Sequence, residues 1–415
     1  MAGVRRLSIE EVIKVVRERF IQFSSQNCVD HSMLSSVFDS APFGLSCQET
    51  KDVELACLLL ASTEKVGKQE FDQGRKLLNL CDFLSSKTRS SVQRTVHYFT
   101  KALQERIERE TSRMTLEGSK SSEEQKSNEE SMMYVDPALI VCFLHLPFFQ
   151  IINFSGIQVI ADSVASAKKV HYIDLAIKSG GCCMVLMQAL ATRFECPIEL
   201  LKVTAVGTTS KQEIKKTSKR LAHFAETLDM PFLFQIVMVR DFKDLCEVIF
   251  ESKAIEVVAI YSPVLLNKML MKPSLLESLF KVLRDLNPRV MVVTEVEADD
   301  NSPTFLGRFS EALLFYSAFF ECLKLCMDQN DSNRMTLEAT YFREIRDIVA
   351  TEGEYKTFRH MKIDAWRNYF ERYRMEEQER SISSLHHAEL LVKNFAWGSS
   401  CTLDRNGKCL TVGWK

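Results

Sequence analysis

The sequence has no excess of charge of either sign: its 415 residues carry 53 Lys and Arg against 55 Asp and Glu, a formal net charge of -2. A chain so balanced projects no global positive field toward phosphate backbones, which disfavours nucleic acid as the main ligand. No CxxC occurs among the 13 cysteines, only the adjacent Cys182 and Cys183 and a CxxxC at Cys322 and Cys326. The usual zinc spacings are therefore missing. An odd number of thiols lying in apolar segments fits reduced, buried cysteines in a cytosolic or nuclear compartment. Long hydrophobic runs are absent too. The opening MAGVRRLSIEEVIKVVRERF alternates charged and apolar residues at helical spacing without a signal-peptide core. The most apolar run, 138–154, is interrupted by His145, Pro147, Gln150 and Asn153 and falls short of the roughly 20 residues a bilayer crossing needs. A soluble protein with no membrane partner is expected.

Catalytic signatures are equally scarce. There is no GxSxG, no HExxH and no GxxxxGK[ST], and the eight histidines show no metal spacing. His386 and His387, side by side on a predicted helix, point in different directions. No cofactor, no metal and no enzymatic activity are expected.

What is present suits a packed fold. Residues 1–50 read as an N-terminal helical extension, and 51–110 as a helical cap with apolar positions such as Val53, Leu55, Leu59, Leu77, Leu78, Val96, Phe99 and Leu103. The segment 111–133, TSRMTLEGSKSSEEQKSNEES through its first 21 residues, is polar and reads as a mobile surface loop. Residues 134–415 read as an α/β core. Within it, short runs rich in β-branched residues alternate with amphipathic stretches, the pattern of βα units around a parallel sheet. Strands are predicted over 170–175, 200–206, 232–239, 255–261 and 289–296. A helix over 213–228 presents Ile214, Thr217, Leu221, Phe224, Ala225 and Leu228 on one face. Asn406-Gly407 between two strand-like runs signals a tight hairpin, expected to close the sheet with an antiparallel edge. The predicted fold is α/β: a Rossmann-like, methyltransferase-like, mostly parallel sheet with helices on both faces, a C-terminal antiparallel hairpin and an N-terminal helical cap.

Five consecutive segments from about Val53 onward resemble, in order, the blocks of the plant GRAS family of transcriptional regulators. The stretch 53–107, with LACLLLASTEKV and VQRTVHYFTKAL, is similar to the first leucine-rich block. VHYID matches the family's signature pentapeptide at Val170, His171, Ile173 and Asp174, with Tyr172 where an aliphatic residue is usual. RLAHFAETLDMPFLF resembles the second leucine-rich block. Pro288, the pair Phe315 and Tyr316, and the pair Arg343 and Glu344 fall where the next block's named residues stand. Trp366, Trp397, Gly398 and Trp414 represent the last block, although the chain stops at Lys415 before that block's terminal Ser-Ala-Trp. The wording of the core is DELLA-like or scarecrow-like, but the first fifty residues contain no Asp-Glu-Leu-Leu-Ala segment, so hormone-receptor recognition through it is not expected.

The resemblance implies a nuclear, and also cytoplasmic, adaptor or co-regulator that binds DNA-binding transcription factors and other GRAS proteins in plant development or hormone signalling. It implies homo- or heterodimers, with DNA contacted indirectly or weakly. It also raises a methyltransferase question, because a S-adenosylmethionine site wants an acidic residue followed by Gly-x-Gly-x-Gly. Asp174 is in place, but Ala176 and Lys178 occupy the first two glycine positions. Only Gly180, followed by Gly181, fits. The second strand runs into Gly207, Thr208 and Thr209, without the carboxylate that holds a ribose. Asp174 is therefore expected to cap a turn. Glu295 and Glu297 are expected to pair with the helix that Arg308 opens. Lys211, Lys215, Lys216, Lys219 and Arg220 form a basic helix face, read as solvated, with phosphate contact or nuclear import as the alternative. The three tryptophans are expected as core anchors. Two other functions stay open: direct sequence-specific DNA binding, which needs a basic stripe on the surface, and a small-molecule or degenerate methyltransferase role, which needs a polar crevice.

Overall fold

The computed structural model describes residues 46–115, 142, 145–207, 210–239, 244–300, 302–328, 330–353, 356–357 and 359–414. The expected N-terminal extension, nearly all of it, and most of the polar segment 111–133 lie outside the described residues, as do Thr208 and Thr209. The described residues divide into two compact units, one drawn from 1–119, 298–357 and 414–415, the other from 120–297 and 358–413.

The first unit is helical. It contains α1 (Cys47–Gly67), α2 (Phe71–Leu84), α3 (Ser91–Thr115), α8 (Phe305–Cys326) and α9 (Ser332–Ala350). Ser46 starts α1 with a capping box: its hydroxyl accepts from the Glu49 N–H at 3.3 Å while the Glu49 carboxylate accepts from the Ser46 N–H at 2.8 Å. Leu59, Leu78, Phe99, Leu103, Phe309, Phe320 and Leu337 form its buried interior. That interior holds a polar junction. Arg94, 1% exposed, donates to the Phe320 carbonyl at 2.8 Å and pairs with Glu338 at 3.2 Å. Glu338 also takes Arg334 at 3.1 Å and the Tyr98 hydroxyl at 3.3 Å. Three helices are thereby locked in register by charges that tolerate no vacancy.

The second unit carries the sheet: β1 (Lys169–Asp174), β2 (Leu200–Gly207), β3 (Phe232–Met238), β4 (Val257–Pro263) and β5 (Val290–Thr294), all parallel in the order β3-β2-β1-β4-β5. One face packs on α4 (Pro147–Ser163), α5 (Gly181–Ala191) and α6 (Lys211–Thr227) through Ile157, Ile160, Leu186, Met187, Ile214 and Leu221. The other packs on α7 (Pro273–Asp285) and α10 (Ile363–Arg372) through Leu276, Leu279, Phe280, Leu283 and Trp366. The strands are covered on both faces, which is why they read as near-continuous apolar runs. The predicted strands and the helix over 213–228 match β1 to β5 and α6 to within two residues at each end.

The hairpin differs from expectation. β6 (Cys401–Asn406) and β7 (Cys409–Trp414) flank Gly407, whose φ of 61° suits the turn, but they form a separate two-stranded sheet and add no edge to the parallel one. Side chains hold this hairpin instead of a shared ladder. Arg367 of α10 donates to the Asn406 side-chain oxygen at 2.9 Å and to its carbonyl, and Lys408 donates to the Glu377 carbonyl at 3.0 Å. The last helix, α11 (Ile382–Asn394), lies on α4, where the Ser384 hydroxyl donates to the Ser155 carbonyl at 2.8 Å. Trp366 and Trp414 are buried, but Trp397 is 44% exposed, so the expectation of three core anchors is corrected to two.

Two stability predictions follow from burial. Glu338→Ala strands two buried guanidinium groups and is expected to destabilise by about 3–5 kcal/mol, read as a lower denaturant midpoint. Trp414→Ala is expected to cost about 3–5 kcal/mol; an unchanged melting curve would exclude a packing role.

Candidate functional site

Strand order reverses between β1 and β4, and open α/β sheets bind ligands in the crevice beyond the carboxyl ends of strands at such a point. Asp174, the last residue of β1, sits there and is 3% exposed. Its Oδ1 accepts from the Ala176 N–H at 3.0 Å, an Asx turn that meets the expectation of a turn cap. Its Oδ2 accepts from the Tyr172 hydroxyl at 3.2 Å. Two positions apart on one strand, Tyr172 and Asp174 share a face, so the residue that departs from the pentapeptide occupies the carboxylate's second oxygen.

The neighbouring strand and helices fill the remaining space. Tyr261 of β4 lies nearly parallel to Tyr172, ring centres 6.5 Å apart, and donates to Asn153 Oδ1 of α4 at 2.5 Å. Cys182 of α5 donates to the same oxygen at 3.3 Å. Burial raises the Asp174 carboxyl to about 6 against the pull of its hydrogen bonds, and burial also pushes the Cys182 thiol up to about 12 and raises the Cys183 thiol well above its ordinary value. Neither thiol is an activated nucleophile. In the sequence Asn153 is legible only as an interruption of an apolar run and Cys182 only as half of an adjacent cysteine pair; no motif marks them.

Gly180 serves packing. It has φ 72°, and a Cβ there would stand 2.9 Å from Thr217 Cγ2 and 3.2 Å from Leu221 Cδ1 of α6. The same loop is tied to α6 by the Thr217 hydroxyl donating to the Lys178 carbonyl at 3.0 Å and by Arg220 donating to Ser179. Gly181 opens α5, whose N-terminus has no side-chain cap. The residues of this turn do not fit S-adenosylmethionine: Ala176 and Lys178 add side chains where backbone must approach, and Gly180 faces a helix.

On the opposite face, His171 is fully buried with Nε2 2.7 Å from Thr204 Oγ1, which donates to Gln235 at 3.1 Å; Gln235 in turn donates to the Ile249 carbonyl at 2.9 Å. Burial, aided by Lys202, lowers His171 to about 3, so it is neutral. Val170 and Ile173 are core residues on alternate faces.

Glu295 and Glu297 lie beyond the end of β5, and Glu297 is exposed. Glu295 accepts from the Leu265 and Leu266 N–H groups at 3.0 and 2.7 Å, fixing the short turn 266–269, and burial raises it to about 7. The ion pair expected with Arg308 is corrected: Arg308 pairs with Glu352, which also takes Arg106 at 2.9 Å. The Tyr316 hydroxyl donates to Glu344 at 3.0 Å, with Phe315 edge-on to Tyr316 at 5.0 Å. Arg343 is exposed and donates to Thr340 at 3.3 Å; Pro288 is half-buried before β5. Gly398 is obligatory, since a Cβ would lie 1.7 Å from the Val392 carbonyl oxygen.

Lys211, Lys215, Lys216, Lys219 and Arg220 are all exposed on α6, with Lys216 paired to Glu213 at 2.7 Å. His386 and His387 are exposed, and among the described residues no group of three or more His, Cys, Asp or Glu could hold a metal. No described helix is long and apolar enough to cross a membrane.

Sheet order, switch point and packed crevice define a Rossmann-like, methyltransferase-like scaffold. The profile of the GRAS domain family matches residues 55–415, and the chain belongs to that family. It is similar to the DELLA protein GAI1 of Vitis vinifera, 27% identical over 372 residues covering 88% of this chain and 60% of that protein. It is similar also to the DELLA protein RGL1 of Arabidopsis thaliana, 28% identical with 89% and 69% covered, and to DELLA protein 2 of Medicago truncatula, 27% identical with 88% and 66% covered. The chain thus spans between 60% and 69% of the length of these relatives. The crystal structure of SCL7 from Oryza sativa has the same fold, with a TM-score of 0.76 over 87% of this chain and 96% of that one at 23% identity.

A buried carboxylate with a raised pKa contributes stability that is complete below its unfolded value near 3.8 and lost as pH rises through about 6. Asp174→Asn removes this dependence. The variant is expected to gain about 1–3 kcal/mol relative to wild type at pH 7, with the difference shrinking toward pH 4, as read by denaturant titration at both pH values.

Proposed function

We propose that this chain is a transcriptional regulator that works as a protein-binding adaptor or co-regulator of DNA-binding transcription factors, in the nucleus of a plant cell. The observation that carries the reading is the GRAS family match over 55–415, with DELLA proteins as its relatives. The site geometry supports it. A crevice packed with Tyr172, Tyr261, Asn153 and Cys182 offers neither a glycine cradle nor an activated thiol, and both oxygens of its one carboxylate, Asp174, are taken by the Tyr172 hydroxyl and the Ala176 N–H. The basic face of α6 supports direct DNA binding poorly, because Arg220 is committed to Ser179 and Lys216 to Glu213, and no aromatic side chain interleaves with them. Transcription factors and other GRAS proteins are the partners proposed, with homo- or heterodimers among the assemblies.

Fusing the chain to a heterologous DNA-binding domain is expected to change expression of a reporter bearing that domain's site, while the unfused chain gives no shift of random duplex DNA at near-physiological salt. A salt-sensitive shift abolished by Lys215→Glu with Lys219→Glu would replace the adaptor with a direct DNA binder.

A further inference from the structure

The cysteine pair in the last turn of α8 is unused by anything described above. Cys322 and Cys326 stand one helical turn apart, their sulfurs 3.8 Å from each other and not joined by a disulfide. Cys322 is fully buried, whereas Cys326 is half-buried and reachable from solvent. Among the described residues no third ligand joins them, so two thiols without a metal remain. We propose that Cys322 and Cys326 are a peroxide-sensitive dithiol, Cys326 attacking and Cys322 resolving, whose oxidation loosens the C-terminal turn of α8.

The pair has the asymmetry that such chemistry requires. Either sulfur of the pair can donate the hydrogen bond between them; donated by the Cys322 S–H, it stabilises the Cys326 thiolate and lowers its pKa, while Cys326 is the half-buried member that an oxidant reaches first. In the first step the Cys326 thiolate attacks one oxygen of hydrogen peroxide. The S–O bond forms, the O–O bond breaks, and the leaving hydroxide takes a proton to become water. Sulfur is oxidised to a sulfenic acid. In the second step the Cys322 sulfur, giving up its proton, displaces hydroxide from Cys326; the S–S bond forms, the S–O bond breaks, and a second water leaves.

Geometry makes the second step a structural event. Cβ atoms one turn apart on a helix lie about 5–6 Å from each other, and a disulfide requires about 3.5–4.5 Å. Cys326 is the final residue of α8, and Met327 is already extended at φ -137° and ψ 144°, so the approach falls on this terminal turn. Two contacts stand on that turn: the Met327 N–H to the Leu323 carbonyl at 3.0 Å and Arg334 to the Met327 carbonyl at 3.3 Å. Arg334 is also one arm of the Glu338 junction, so oxidation reaches the buried charges of the helical unit.

Lys324 lies between the two cysteines, which gives a decisive test. Trypsin digestion of the full chain after brief hydrogen peroxide treatment, without reduction, is expected to release peptides 309–324 and 325–334 joined, two hydrogens lighter than their sum. Dithiothreitol should separate them. Intact oxidised protein should take up deuterium faster than reduced protein within 323–334. In Cys322→Ala the link should vanish and dimedone should label Cys326. Wild-type peptides that stay separate, with Cys326 a thiol or a sulfonic acid, would overturn the proposal whether or not the variant folds. Joined peptides with unchanged deuterium uptake would overturn the structural coupling.

Discussion

β1 is hydrogen-bonded in parallel to β2 on one side and β4 on the other, and both of its faces are covered, so every group on it must be satisfied by protein. Much else in the sheet unit answers to this. Val170 and Tyr172 face one core while His171 and Ile173 face the other. The strand's one carboxylate meets its need with the Ala176 N–H and the Tyr172 hydroxyl. The turn that follows must then approach α6 so closely that Gly180 allows no side chain. A motif that looks like the remnant of a cofactor site is thus accounted for by the burial of a central parallel strand.

The elements most legible in the sequence are those whose burial is written locally. Parallel strands covered on both faces appear as apolar, β-branched runs, and α6 shows its buried face in Ile214, Thr217, Leu221 and Ala225. Gly407 marked the hairpin turn, but whether a hairpin joins a larger sheet depends on contacts such as Arg367 with Asn406, 39 residues apart, which leave no periodic trace. The same limit hid the Arg94 junction, since Arg94 and Phe320 are 226 positions apart. Asn153 and Tyr261 read as an interruption and a strand residue; only the fold brings them together, across 108 positions. Glu295 reads as half of an ion pair because spacing shows charges and not the backbone N–H groups that meet its Oε1.

Buried polarity in this protein goes into holding elements in register. His171 kept neutral, Glu295 on two backbone donors, and Glu338 between two guanidiniums each tie a strand, loop or helix to its neighbour. Such groups lower stability when one member is removed. For a scaffold whose proposed work is done by its surfaces, a rigid interior is the useful property; of the positions that resemble the GRAS blocks, Val170, Ile173, Tyr316, Trp366 and Gly398 are buried, while Arg343 and Trp397 are exposed.

Whether the crevice after β1 is packing or pocket is decided by titration calorimetry of the purified chain with S-adenosylmethionine at near-physiological salt. If Tyr172, Tyr261 and Gly180 are structural, as argued from their contacts, no heat of binding is released. Saturable heat that disappears in Asp174→Asn would show instead a crevice that opens for a cofactor.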